Sequence, residues 1–193
     1  MLESRIKDGT WLHARLAETA RELVGIDVDD EGVEWAKAHG FEAHTVDATD
    51  HLRIAGLNVK RADLVIAGEV IEHVDAPGPL LRSLQQLADR LIVTTPNALT
   101  VMNTLTPLAG KELVHPDHVA WFSPTTLARM LTVSGWTVER MLYYDNGANP
   151  VAGNNRLKKI VANAVRALAS RHASDGLVAV ASQPAAYTPT RTP

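Results

Sequence analysis

Residues 62–68 read ADLVIAG, and the chain runs straight on into EVIEHV at 69–74. From Leu64 to Ala67 there is no polar side chain. An unbroken apolar run of this length predicts a strand covered on both faces, since a half-buried strand would alternate. Gly68 ends the run, and two acids and a histidine follow at once. RLIVTTPN at 90–97 repeats the pattern and is stopped by Pro96. Strands of this kind need helices on both sides, so the stretch predicts a layered α/β fold around a mostly parallel sheet.

The flanking sequence supplies the other layers. LVGID at 23–27 and EAHTV at 42–46 read as strands, WTVERMLYY at 136–144 alternates as a strand does, and LVAVAS at 177–182 is a last strand. Leu12, Leu16 and Ala20 share a helical face, which predicts a helix from Leu12 to Glu22. Asp29 and Asp30 are placed to cap the next helix, which Gly40 follows. Pro77 to Ala88 reads as a helix. So does the segment opened by Ser123-Pro124 and closed at Gly135, with serine as cap and proline in the first turn. Arg156 to Arg171 is helical in pattern, and DNGANPVAGNN at 145–155 reads as an open loop. One domain over residues 1–183 is expected, with a loose Pro- and Thr-rich tail at 184–193.

Composition narrows the function. The chain has 193 residues, 46% hydrophobic and 21% charged, enough for a proper core and too apolar for disorder. Net charge is −3, which argues against a nucleic-acid partner. The absence of cysteine excludes disulfides, zinc-thiolate sites, iron–sulfur clusters and thiol nucleophiles. No segment reaches the roughly 18 apolar residues of a membrane span. MLESRIKDGTW at the start carries Glu3, Arg5, Lys7 and Asp8 and lacks the apolar core of a secretory signal, so a cytoplasmic protein is expected.

In open α/β sheets ligands sit at the carboxyl ends of strands. That singles out Asp27, Asp47, Gly68 with Glu69, and Pro96 with Asn97. Asp27 is placed to accept from the vicinal hydroxyls of a ribose, or to cap the helix that follows. Asp47 is placed to accept from a purine exocyclic amine, with the Ala48 N–H donating to the ring, or to form an Asx turn. In GEVIEHV at 68–74, Gly68 allows close backbone approach, and Glu72 with His73 offers an acid–base pair or an ordinary solvated helix start. Glu69, Glu72, His73 and Asp75 are hard-ligand types, but such clusters arise by chance and no metal is expected. His115 and His118 flank Asp117 in VHPDHVAWF, where they either line an apolar pocket with Trp121 and Phe122 or belong to a polar loop. Trp11, Trp35 and Trp136 read as packing residues.

Taken together, LVGIDVDDEGVEWAKAHG at 23–40, VDATD at 46–50, ADLVIAGEVIEHVDAPGPLLRSL at 62–84, RLIVTTPNA at 90–98 and HVAWFSPTTLARMLTVSGWTVE at 118–139 resemble successive motifs of the class I S-adenosylmethionine-dependent methyltransferases. The nearest subgroup is the small-molecule one that includes ubiquinone-biosynthesis-type O-methyltransferases. The resemblance implies a Rossmann-like sheet of seven strands, the last antiparallel, with a hairpin from 136–144 and 177–182. It implies S-adenosyl-L-methionine as cofactor: Asp27 on the ribose, Val28 against adenine, Asp47 and Ala48 at the adenine edge, Gly68 and Glu69 near the methionine portion. His73 and His118 fall at positions near substrate and are the catalytic candidates. The expected activity is methyl transfer to a small-molecule acceptor.

The first family motif is an acid followed by three alternating glycines. Here that register holds Glu3, Arg5, Lys7 and Gly9, so only the acid and the last glycine match. Only Met1 and Leu2 precede Glu3, where the first strand should hold about five residues. The expectation is a truncated or mis-started chain, a decayed relative that serves as a non-catalytic binding or scaffold domain, or a sheet completed by another chain or an oligomer. A nicotinamide-dependent dehydrogenase would share Asp27 but needs a glycine fingerprint that is absent.

Overall fold

A computed structural model describes residues 11–100, 103–104, 106–110, 112, 114–145 and 171–184. Glu3, Gly9 and the expected first strand lie outside these residues, as do nearly all of the expected helix 156–171 and the tail from 185. The chain forms two compact units, up to Asn58 and from Val59.

In the first unit, β1 (Val24–Asp27) pairs in parallel with β2 (Glu42–Thr45), in the register Val24 to Glu42 and Asp27 to Thr45. Helix α1 (Leu12–Ala17) is shorter than its periodicity predicts. It buries no residue, so nothing holds its last turns, and the Thr19 hydroxyl takes the Leu16 carbonyl at 3.2 Å. Helix α2 (Asp30–Ala38) has Asp29 at its N-cap position, but the Asp29 side chain makes no capping bond. Instead Asp30 Oδ1 accepts from the Thr45 hydroxyl at 2.7 Å and ties α2 to β2. Gly40 ends the helix at φ +85°, a left-handed conformation that glycine adopts without a side-chain penalty. The core here is Val33, Ala36 and Ala43, with Trp11, Trp35 and Phe41 packed on it. Helix α3 (His51–Ala55) carries no apolar signature in the sequence. It forms because Asp50 caps it, with Oδ1 accepting from Leu52 N and Arg53 N at 3.0 and 3.1 Å.

In the second unit four strands form one sheet in the order β3-β4-β6-β5. β3 (Val65–Gly68) lies parallel to β4 (Arg90–Pro96), with Gly68 opposite Thr94. β6 (Gly176–Ser182) runs antiparallel to both β4 and β5 (Thr137–Tyr144), so the late hairpin and the antiparallel last strand are as expected. The expectation of full burial on both faces does not hold for the described strands. In β4 only Leu91, Val93 and Thr95 are buried, and in β3 only Ala67, whose described ladder is with β4 alone. Helix α4 (Pro77–Leu84) ends before the expected Ala88 and buries Leu80, Leu81 and Leu84. Helix α5 (Pro124–Val133) begins with a reciprocal capping box between Ser123 and Thr126 and buries Leu127 and Leu131. Trp136 is 1% exposed and donates its indole N–H to the Leu81 carbonyl at 2.8 Å, which locks the start of β5 onto α4. Among the described residues no helix is long and apolar enough to cross a membrane.

Removing the Ser123 hydroxyl orphans the Thr126 N–H at the start of α5. Ser123→Ala should therefore lower stability by about 1 kcal/mol in urea unfolding. An unchanged denaturation midpoint would show that the cap contributes nothing.

Candidate active site

Asp27 and Asp47 stand at the same edge of the first unit, because β1 and β2 are parallel and Asp27 is in register with Thr45. Each carboxylate first organises its own turn. Asp27 Oδ1 accepts from Asp29 N at 3.0 Å, and Asp47 Oδ1 accepts from the Thr49 N–H and hydroxyl at 2.8 and 2.7 Å. The Thr49 hydroxyl bond, reinforced by the Thr49 N–H, holds the Asp47 carboxyl below the usual carboxylate range. The Asx-turn reading of Asp47 is thus realised, whereas Asp27 turns onto the N–H of Asp29 and does not cap the helix that follows. These bonds leave Oδ2 of each carboxylate without a described donor. Beside Asp27, Val28 is 68% exposed, an apolar surface with no cover at a strand's carboxyl end. Free carboxylate oxygens next to an exposed aliphatic face are the chemistry that a nucleoside needs: hydroxyl and amine donors around a flat apolar ring.

The second unit holds a denser cluster. Beyond Gly68 the chain turns through Glu69, which has φ +54°, the one left-handed non-glycine among the described residues. Its N–H donates to the Thr94 carbonyl at 3.1 Å, so the turn is pinned to β4. No helix follows; a run of turns carries Glu72 inward until it is 1% exposed. The loop before α5 then hooks onto the same place. Val119 N and Ala120 N both donate to the Glu72 carbonyl, at 2.9 and 3.2 Å. His73 Nδ1 lies 3.1 Å from the Asp117 carbonyl, 44 positions away in sequence.

Those backbone hooks bring Glu72, His73 and His118 together, with one ligand-type atom from each lying within 4.8 Å of the other two. The protonation pattern follows from the partners. A carbonyl only accepts, so His73 Nδ1 carries a hydrogen and Nε2 is the nitrogen turned to the cluster. That nitrogen stands 4.0 Å from Glu72 Oε1. Glu72 Oε2 accepts from the Thr95 hydroxyl at 2.9 Å, but Oε1 is enclosed and has no hydrogen-bond partner. An enclosed carboxylate oxygen with no donor is unfavourable unless a proton or a cation completes it. Burial pushes the Glu72 carboxyl up, and the Glu69 charge adds to the effect. Burial pushes His118 down, as do the neighbouring His73 and His115. The His73 and His118 rings are 4.7 Å apart and nearly perpendicular.

One carboxylate and two imidazoles suit a divalent first-row transition cation better than magnesium or calcium, which prefer all-oxygen sets. Two ligands at about 2.1 Å from one ion are at most about 4.2 Å apart, so binding would draw this cluster slightly inward. The Asp117 carbonyl supplies the outer partner that fixes the ring of a ligating histidine. A cavity of about 80 Å³ opens beside the cluster, lined by Glu72, Pro96, Asn97, His115, His118 and Trp121 among others.

The sequence reading named Glu72, His73 and His118 but paired the first two with Glu69 and Asp75, not with His118. Glu69 instead accepts from the Tyr144 hydroxyl at 2.7 Å, and Asp75 is not in the cluster. Phe122 is buried and Trp121 lines the cavity. Thr95 and Tyr144 were not legible, because a hydroxyl inside an apolar strand carries no sign of what it will meet.

A family profile described as a methyltransferase domain matches residues 7–140. The chain therefore belongs to the methyltransferase-domain family, and its fold and match place it among the class I S-adenosylmethionine-dependent methyltransferases, whose methyl donor is S-adenosyl-L-methionine. Similar solved structures include a SAM-dependent methyltransferase from Archaeoglobus fulgidus, 16% identical, covering 94% of this chain and 80% of that one with a TM-score of 0.57. The magnesium protoporphyrin IX methyltransferase of Synechocystis with bound SAH is 16% identical, covering 91% and 70%, with a TM-score of 0.59. A complex of the Haloferax volcanii Trm112 methyltransferase activator with a methyltransferase gives 13%, 90%, 77% and 0.61. At these identities the likeness is one of fold. No curated protein matches the chain by sequence.

Burial raises the folded-state pKa of Glu72 above its unfolded value, so its ionised form is destabilising. That penalty sets in as pH rises through the carboxylate range and is absent below it. Gln in its place keeps an acceptor for Thr95 and offers an N–H to His73 Nε2. In metal-free protein, Glu72→Gln should therefore raise the melting temperature at neutral pH by about 2–4 °C, with the gain vanishing in acid. A lower melting temperature at neutral pH would contradict the orphaned-carboxylate reading.

Proposed function

We propose that this protein transfers a methyl group from S-adenosyl-L-methionine to an oxygen of a small-molecule acceptor, with a divalent transition cation held by Glu72, His73 and His118. The observation that carries this reading is the enclosed Glu72 Oε1, which has no hydrogen-bond partner and lies 4.0 Å from His73 Nε2 beside a small cavity. The cavity's size and the chain's net charge of −3 favour a small acceptor over a polyanion.

The residues divide the work by unit. In the first, the free oxygen of Asp27 accepts from ribose hydroxyls, Val28 covers the adenine, and Asp47 with the Ala48 N–H reads its edge. For the second, the family resemblance gives Gly68 and Glu69 to the methionine portion. The bound cofactor supplies an electrophilic methyl on a sulfonium, and the cation would lower the pKa of an acceptor hydroxyl and orient it. The task left to the protein is to hold the nucleophile in line with the methyl group, which is where most of the rate gain of such a displacement lies. As ligands, His73 and His118 have no lone pair left for proton abstraction. His115, whose ring centre is 5.2 Å from that of His118, already accepts the Asp117 N–H on Nδ1 at 3.3 Å, so the hydroxyl proton would leave to solvent.

Calorimetry with S-adenosylhomocysteine tests the cofactor half. The wild type should bind, and Asp27→Ala should weaken binding by about 1–3 kcal/mol, the order for hydrogen bonds lost at a polar partner. Equal affinity in the variant removes Asp27 from the site. A folded wild type that gives no heat would favour the non-catalytic scaffold reading.

A further inference from the structure

Thr95 is the polar member of an otherwise apolar row. Leu91, Val93 and Thr95 are the buried residues of β4, two positions apart, so they share one face of the strand. Thr95 is 0% exposed. A hydroxyl at that depth is unfavourable unless it is bonded, and it donates to Glu72 Oε2 at 2.9 Å, across 23 positions of sequence. Glu72 is thereby held at two points. Its carbonyl is taken by Val119 N and Ala120 N, and one carboxylate oxygen is drawn back against β4. Oε1 is the oxygen that remains, enclosed, without a hydrogen-bond partner and 4.0 Å from His73 Nε2. The two residues that follow Thr95, Pro96 and Asn97, line the cavity together with Glu72 and His118.

A carboxylate can meet a cation through one oxygen or through both. Through both, it fills two positions of the coordination sphere. With Oε2 engaged by Thr95, Glu72 offers only one. Together with one nitrogen each from His73 and His118, that makes three protein atoms. Three is the number that leaves a fourth position open in tetrahedral sites where a metal does chemistry.

We propose that Thr95 is a positioning residue whose hydroxyl keeps Glu72 a one-oxygen ligand, and so keeps one coordination position of the cation free for the acceptor oxygen. The inference rests on the cation reading of the cluster. Thr95 itself touches neither cation nor acceptor and acts through Glu72.

Co²⁺ added to the whole chain tests this, because its visible bands report coordination number and their response to azide reports an open position. Wild type should show the intense bands of a four-coordinate ion, and azide should shift them. His118→Ala should abolish uptake. Thr95→Val puts a methyl in place of the hydroxyl and releases Oε2 to close on the ion. Its bands should weaken toward those of a higher coordination number, and the azide shift should be lost. Thr95→Ser should restore both. Thr95→Ala carries the same expectation as Thr95→Val and replaces it if that variant does not fold. A merely structural threonine would change the melting temperature and leave the bands and the azide shift as in wild type, which overturns the proposal. A wild type that holds Co²⁺ but ignores azide overturns it too, as does a folded Thr95→Val that takes up no Co²⁺; the cation reading survives all three results. No uptake by wild type, or uptake indifferent to His118→Ala, overturns the cation reading and this proposal with it.

Discussion

The second unit is organised around the buried Glu72. Its carbonyl receives two N–H groups from the loop before α5, so the position of that loop is set by the backbone of the residue whose carboxylate it must meet. Its side chain is anchored by one oxygen to Thr95 of β4, while the other is left without a partner. A carboxylate placed so deep is unfavourable on its own. Native interiors tolerate such a group when a proton, a cation or a redesigned neighbour completes it. Here the neighbour is a histidine whose Nδ1 is held by the Asp117 carbonyl, which turns Nε2 toward the carboxylate. The one uncompensated oxygen of Glu72 is where the fold and the proposed chemistry are linked.

Much of the fold was legible because its strands are apolar runs with sharp ends. VIAG at 65–68 and RLIVTTP at 90–96 are bounded by glycine, proline or charge, and both strands lie within the segments read from sequence. The antiparallel last strand came from the resemblance and is observed. Where periodicity misled, packing was the reason. The Leu12, Leu16, Ala20 stripe suits a helix, yet nothing buries it past Ala17. The five-residue helix His51–Ala55 was invisible because it is too short to show a period; the Asp50 cap and the single buried Ile54 hold it.

The site was legible in parts and not as an assembly. Position at a strand end was enough to single out Asp27, Asp47 and Glu69. No local rule says that Glu72 and His73 will meet His118, because their contact is made by backbone hydrogen bonds from a distant loop. The same is true of Tyr144 and Glu69, whose meeting depends on a glycine in a third strand. Spacing within one segment invited the grouping of Glu69, Glu72, His73 and Asp75. The turn after Gly68 instead points these side chains in different directions, sending Glu69 to Tyr144 and Glu72 into the core.

The most direct measurement is anomalous diffraction at the zinc edge from crystals grown with stoichiometric Zn²⁺. The account predicts one strong peak about 2.0–2.2 Å from Glu72 Oε1, His73 Nε2 and a ring nitrogen of His118, with the Asp117 carbonyl still on His73 Nδ1. Density showing His73 turned so that its N–H reaches Glu72, with no ion among the three side chains, would contradict it.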